Sequence, residues 1–169
     1  MTSDPKPIDP GAAIGSVHLK VADLERAVRF YRDALGFSVQ GRIGDSAAFL
    51  SAGGYHHHVA LNTWQSSGGA RPARGTTGLY HFAIRFPTRT ALADAVRRLI
   101  AHEIELSGAS DHGVCEAVYL TDPDGNGVEL YWDRPRRLWP QTLDGRLALI
   151  DIPMDIELLL ADGRSTGNS

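Results

Sequence analysis

A pattern of strand, helix and three strands occurs twice in this chain of 169 residues, and that repeat constrains its fold most tightly. In IGSVHLKV (14–21), Val17, Leu19 and Val21 alternate with Ser16, His18 and Lys20, the period of a strand. ADLERAVRFYRDALGF then sets Leu24, Ala27, Val28, Tyr31 and Leu35 at helical spacing, with Asp23 as N-cap and Gly36 past the end. SVQGRI, SAAFLSA and HHVALNT read as strands, separated by turns at Gly44-Asp45 and Gly53-Gly54. A linker rich in Gly, Ser, Pro and Arg covers 65–78. The pattern then restarts with LYHFAIRF (79–86), where Tyr80, Phe82, Ile84 and Phe86 alternate with His81, Ala83 and Arg85. TRTALADAVRRLIAHEI reads as the second helix, and IELSGA, CEAVYLTD and GVELYWD as the closing strands, with a PDGN turn before the last.

The expected fold class is therefore α+β, with tandem βαβββ modules. Residues 1–13 read as a flexible arm, 14–64 as the first module, 65–78 as the linker, 79–133 as the second module and 134–169 as a C-terminal extension. Within that extension, IDIPMDIELLL reads as a short apolar helix after Pro153.

Composition narrows the function classes. Apolar residues make up 43% of the chain, enough for a packed core, and the net charge is −3 without a basic block. Nucleic acid is therefore not an expected partner. No apolar run approaches a membrane span, and the N-terminal stretch lacks the apolar core of a signal peptide. The single cysteine, Cys115, permits no disulfide within the chain, which fits a reducing, cytoplasmic location.

Each module's first strand carries a histidine at the same place, His18 and His81, on the face opposite the apolar, helix-facing positions. In the last strand, Val128, Leu130 and Trp132 form the apolar face, so Glu129 and Tyr131 point away from it. A carboxylate mid-strand is costly unless paired or bound to a cation. Glu129 is thus either a third metal ligand or the partner of an arginine such as Arg85. The run YHHHVAL (55–61) adds three histidines; alternation puts His56 and His58 on one face and His57 on the other, with Val59 and Leu61. A solvated edge with no chemistry is the competing reading of that run.

The repeat, the opening VHLKVADLERAVRFYRDALGF, the strand YHFAIR and the segment DPDGNGVELYW together resemble the vicinal oxygen chelate superfamily, the glyoxalase, bleomycin-resistance and extradiol dioxygenase group. The resemblance covers about residues 14–133. It implies that the two modules curve into a half-open barrel around a metal, with His18, His81 and Glu129 as ligands. Two histidines and one carboxylate leave positions open, the arrangement of non-heme Fe(II) oxygenases. Aligning VALNTW with VELYWD places Ala60 or Val59 opposite Glu129, so no fourth ligand is expected there.

Further stretches resemble the ring-cleaving branch, closest to small two-module proteins like catechol 2,3-dioxygenase. HHVAL resembles its histidine-containing segment and implies His57 as acid–base group, with His56 and His58 as bystanders. DHGVCEA resembles its HG-x-S-N-A segment, with Cys115 and Glu116 in place of Ser and Asn, and implies His112 near a substrate oxygen. YLTDPDGN implies a similar place for Tyr119. The expected function is extradiol cleavage of a small aromatic catechol by dioxygen, with Fe(II), Mn(II) or another divalent metal as cofactor. The fold is compatible with a homodimer. The alternatives are a glyoxalase-like metal-dependent isomerase or thiol transferase, and a non-catalytic binder of small molecules or drugs.

Overall fold

A computed structural model of the protein describes residues 6–161. The expected arm over 1–13 and the extension over 134–169 therefore lie partly outside the described residues.

The first module contains β1 (Val17–Lys20), α1 (Leu24–Arg29), β2 (Ser38–Ile43), β3 (Ala47–Ser51) and β4 (Val59–Asn62). The second contains β5 (His81–Phe86), α2 (Arg89–Ala101), β6 (Leu106–Asp111), β7 (Cys115–Thr121) and β8 (Gly127–Asp133). The strand orders match: β1-β4-β3-β2 in one sheet, β5-β8-β7-β6 in the other. In each, the first strand pairs in parallel with the last and stands at the edge of its sheet. The two sheets share no ladder, so together they form a half-open barrel rather than a closed one. The extension adds β9 (Ile152–Pro153) beside β6 and α3 (Ile156–Ala161).

Local signals explain the helices. Asp23 accepts a hydrogen bond from the Arg26 amide at 2.9 Å, and Thr88 caps α2 through the Ala91 amide at 3.1 Å. The first helix differs from expectation at its end. Regular α-helix stops at Arg29, and Phe30–Ala34 continues as a wider π-helical turn, with the Leu35 amide donating to the Phe30 carbonyl at 3.1 Å. That widening leaves Phe30, Tyr31 and Ala34 all buried.

The core lies between helices and sheets. Val21, Val28, Tyr31, Leu50, Leu61, Leu92, Leu99 and Leu130 are fully enclosed. Burying each such aliphatic side chain contributes about 1.5–3 kcal/mol. Tyr80 departs from the expected alternation: it precedes β5 and is 90% exposed, whereas Phe82, Ile84 and Phe86 pack against the core.

The turn DPDGN ties the modules together. Asp122, 2% exposed, accepts from the Tyr31 hydroxyl at 2.8 Å, the Asn126 side chain at 2.9 Å and the amides of Asp124 and Asn126. Asp124 accepts from the Ala22 amide at 2.9 Å and the Arg26 guanidinium at 2.8 Å. A second-module turn thus anchors the start and the end of the first module's helix. Burying Asp122 is tolerated because donors reach both of its oxygens, whereas Asp124 receives both of its donors on Oδ1 and keeps Oδ2 buried without a partner.

Candidate metal and substrate site

The site is built on the concave faces of the two sheets, opposite the helices. In the second module, β5 and β8 pair so that His81 faces Gly127 and Ala83 faces Glu129. The imidazole Nε2 of His81 lies 3.1 Å from Glu129 Oε2, and the Glu129 side chain is only 13% exposed. Gly127 allows this approach: a Cβ there would meet the Tyr80 carbonyl at 2.3 Å and the His81 Cβ at 2.9 Å. The alternative arginine partner is otherwise engaged, because Arg85 pairs with Asp133 at 3.6 Å. Glu129 is instead joined to an imidazole and to the hydroxyl of Tyr119, 3.3 Å away.

Tyr119 sits directly across from Glu129 in the β7–β8 ladder. Its hydroxyl is also 2.6 Å from His112 Nε2, so His112, Tyr119, Glu129 and His81 form one continuous polar chain. Burial, then the charge of Glu129, raises the phenol pKa of Tyr119, so it remains a neutral donor. A cavity of about 470 Å³ is lined by His81, His112, Tyr119 and Asp151. Cys115, on the same face of β7, has its thiol pushed up to about 11 by burial and by Glu129 and Asp133, which keeps it protonated.

In the first module, His18 stands on the edge strand β1, exposed, with its Nε2 2.9 Å from the Asn62 amide nitrogen. It lines a second cavity, of about 380 Å³, together with Leu79, Asp124 and Asn126 from beyond the linker. The structure therefore brings His81 and Glu129 into contact and leaves His18 on the facing sheet edge. Among the described residues no three His, Cys, Asp or Glu side chains already converge as a ligand set.

The ladder also identifies Asn62, which pairing VALNTW with VELYWD does not reach. His18 pairs with Ala60 and His81 with Gly127, so the first-module counterpart of Glu129 is Asn62, not Ala60 or Val59. Asn62 is 6% exposed, and its Oδ1 accepts from the Trp64 amide at 3.1 Å, which turns its NH2 group toward His18. The signal was present in the sequence: HLK and VALN have to be paired through the histidine, as HFA and GVE are.

The histidine run is a corner rather than a strand, since β4 begins only at Val59. Simple alternation consequently fails upstream of Val59. The His57 ring packs on Phe49 at 5.3 Å, away from the buried side of Val59 and Leu61. Phe49 in turn lies 6.3 Å from the His18 ring and pairs, through Ala60, with His18 on the concave face. Desolvation, then repulsion from His56, His18 and His58, lowers the His57 pKa. His58 is held at the corner by the Ala52 amide and a ring contact with Tyr55. His56 is not a bystander: its Nδ1 lies 2.8 Å from His57 Nδ1, so one ring sets the tautomer of the other.

A model of the Glyoxalase/Bleomycin resistance protein/Dioxygenase superfamily matches residues 13–130. The chain belongs to this superfamily. Catechol-2,3-dioxygenase of Bacillus subtilis is 43% identical over 149 residues, 88% of this chain and 51% of that protein. Biphenyl-2,3-diol 1,2-dioxygenase 3 of Rhodococcus globerulus is 38% identical over 68% of this chain and 60% of its own length. The chain thus spans about half the length of the curated relatives it matches. Among solved structures, lactoylglutathione lyase from Agrobacterium tumefaciens superposes with a TM-score of 0.57 at 27% identity, covering 73% of this chain and 96% of that one. A glyoxalase/dioxygenase from Nostoc punctiforme superposes at 0.60 with 19% identity, over 79% of this chain and all of the other, a likeness of fold. Among the described residues no helix is long and apolar enough to cross a membrane.

Proposed function

We propose that this superfamily member opens the ring of a small catechol with dioxygen, with Fe(II) as the metal. The observation that carries the reading is the polar chain of His112, Tyr119, Glu129 and His81, of which His112, Tyr119 and His81 line the cavity. The likeness to a catechol-2,3-dioxygenase supports it. The modules over 14–64 and 79–133, joined by the linker over 65–78, are the working unit of this reading.

The donor set fits a divalent metal. A half-buried carboxylate beside an imidazole, joined by no arginine or lysine among the described residues, is a cation-seeking arrangement. His81 and Glu129 would hold the metal from one sheet and His18 from the other. Bound there, Fe(II) would supply a chelation point for two adjacent ring oxygens and an electron path between catechol and dioxygen.

The protein's own groups then have distinct tasks. His57, kept neutral by its surroundings, is the base that takes a phenolic proton and the acid that later returns one. His112 and the neutral Tyr119 hydrogen-bond a substrate oxygen and hold charge there as the ring opens. Phe49 keeps water from the base and orients its ring.

The likeness to a lactoylglutathione lyase favours a second reading, metal-dependent isomerisation. One assay separates them. Protein loaded anaerobically with Fe(II) is mixed with a panel of catechols in air, and oxygen uptake is followed beside the yellow ring-cleaved semialdehyde. The dioxygenase reading requires uptake and colour in equal measure. No uptake across the panel, with isomerisation of a glutathione hemithioacetal, establishes the lyase-like activity instead.

A further inference from the structure

The C-terminal extension enters the site from outside the two modules. Its strand β9 lengthens the second sheet, pairing Ile152 with Asp111 and Pro153 with Ser110, and the Met154 amide donates to the Ala109 carbonyl at 3.0 Å. Leu159 and Leu160 of α3 are buried, and the Arg97 guanidinium of α2 donates to the Leu160 carbonyl. The extension is therefore docked at both ends of this stretch. Between β6 and β7 the chain passes beneath it at Gly113, with φ of +75°. A Cβ at Gly113 would lie 2.7 Å from Pro140 and 3.0 Å from Ile150, so the extension presses directly on the residue after His112.

We infer that Ile150 and Asp151 are positioning residues for His112, so that the extension is a working wall of the site. The Ile150 carbonyl lies 3.2 Å from His112 Nδ1. A carbonyl only accepts, so Nδ1 carries the ring proton. Nε2 is then left with its lone pair, and the single Tyr119 hydroxyl proton goes to it across the shorter contact, 2.6 Å, rather than to Glu129 Oε1 at 3.3 Å. In the opposite tautomer Nδ1 and the carbonyl would face each other as two acceptors. Asp151 Oδ1 stands 3.8 Å from the same Nδ1, and the residue lines the cavity shared by His81, His112 and Tyr119. The carboxylate favours the ring orientation that keeps the Nδ1 proton outward and Nε2 inward. These contacts come from residues past position 130, where the superfamily match ends, so this module's histidine is aimed by a segment outside the repeat.

The inference rests on the ring-opening reading only for the reaction that His112 serves. Its test therefore starts on the metal-free protein. Long-range nitrogen–proton correlation spectra of the His112 ring report which nitrogen is protonated. Wild-type protein is expected to show Nδ1–H alone. Met154→Pro removes the β9 donor to Ala109 without touching the cavity, and it is expected to bring in the Nε2–H form. A chain ending at residue 149 lacks β9 and bares the edge of β6, so Met154→Pro in the full chain carries the comparison. With Fe(II) and a catechol, Asp151→Asn is expected to lower kcat ~10-fold at unchanged KM, the scale on which losing a histidine's orienting partner acts, with Asp151→Glu restoring it. An Nε2–H ring in wild type, or a ring unchanged in Met154→Pro, overturns the inference. So does an Asp151→Asn enzyme that turns over like wild type. If no variant shows ring opening, the tautomer result still stands or falls by itself, and the failure belongs to the proposed reaction.

Discussion

Asn62 and Glu129 occupy the same ladder position in the two modules, two residues along from the partner of a histidine, and each holds that histidine's Nε2, at 2.9 Å and 3.1 Å. The repeat is thus symmetric in geometry and asymmetric in charge. One half offers an imidazole with a neutral amide, the other an imidazole with a carboxylate.

Asn62→Asp should restore charge symmetry. A second carboxylate raises affinity for a hard divalent cation, since charge count tunes such sites. Titration calorimetry with Mn(II) is expected to show tighter binding than wild type, while catechol turnover falls because a protein group competes for an open position. Equal or weaker Mn(II) binding would count against Asn62 facing the metal.

Glu129→Gln removes the carboxylate at the His81 contact. Retained iron after gel filtration should drop ~10–100-fold in apparent affinity. The melting temperature should stay close to wild type, because Glu129 contacts the polar groups of His81 and Tyr119 and is not part of the apolar core. A variant that keeps full iron would remove Glu129 from the ligand set.

His57→Asn should lose ~10²–10⁴-fold in kcat with iron content unchanged. The wild-type pH profile tests the same residue. Desolvation and the neighbouring histidines lower its pKa, so the neutral base persists to more acid pH than an ordinary imidazole. A cation bound on that face pushes the same way. The acid limb of kcat/KM should therefore fall below ~6.5, the unperturbed imidazole value; a limb above it would exclude His57. His56→Asn should also slow turnover, because its Nδ1 contacts His57.

Cys115 should be inert. With its pKa near 11, almost no thiolate exists at pH 8, and iodoacetamide should label it far more slowly than a free thiol. Rapid labelling of the folded protein would show that the β7 face opens.

Tyr31→Phe tests the tie between modules. Asp122 keeps its other donors but loses the phenol, a bond to a charged group worth about 1–3 kcal/mol. At this chain length that corresponds to a fall of several degrees in melting temperature, at about 2–4 °C per kcal/mol. An unchanged melting temperature would mean that Asp122 is satisfied without Tyr31.

Strand periodicity and turn chemistry made the fold legible. Gly127–Asp133 matches GVELYWD because buried Val128 and Leu130 alternate with more exposed positions, whereas Ser38–Ile43, exposed along nearly all of its length, is delimited by the turn at Gly44. The place of Glu129 opposite the face of Val128, Leu130 and Trp132 followed from the same alternation; its grouping with His81 came from the family resemblance. What could not be read was register. Asn62 becomes visible only when the parallel pairing of first and last strands is known, since that pairing is not local in sequence. His57 escaped alternation because the chain turns a corner before Val59, and a corner has no period. The carbonyl of Ile150 was invisible for a further reason: every residue has one, so its place near His112 depends on docking alone.

The order of strands also bears on how the sheets avoid edge-to-edge association. Edge strands offer unpaired backbone groups to any passing chain. Here β1 and the approach to β5 line a common cavity, which turns those edges inward on one another. The far edge of the second sheet is blunted by β9. The far edge of the first is β2, where a register shift between Val39 and Gly41 and the charged Arg42, paired with Glu25, interrupt any flat template. Removing β9 should therefore expose β6 as a sticky strand, and such a chain would be lost to aggregation at concentrations the intact protein tolerates.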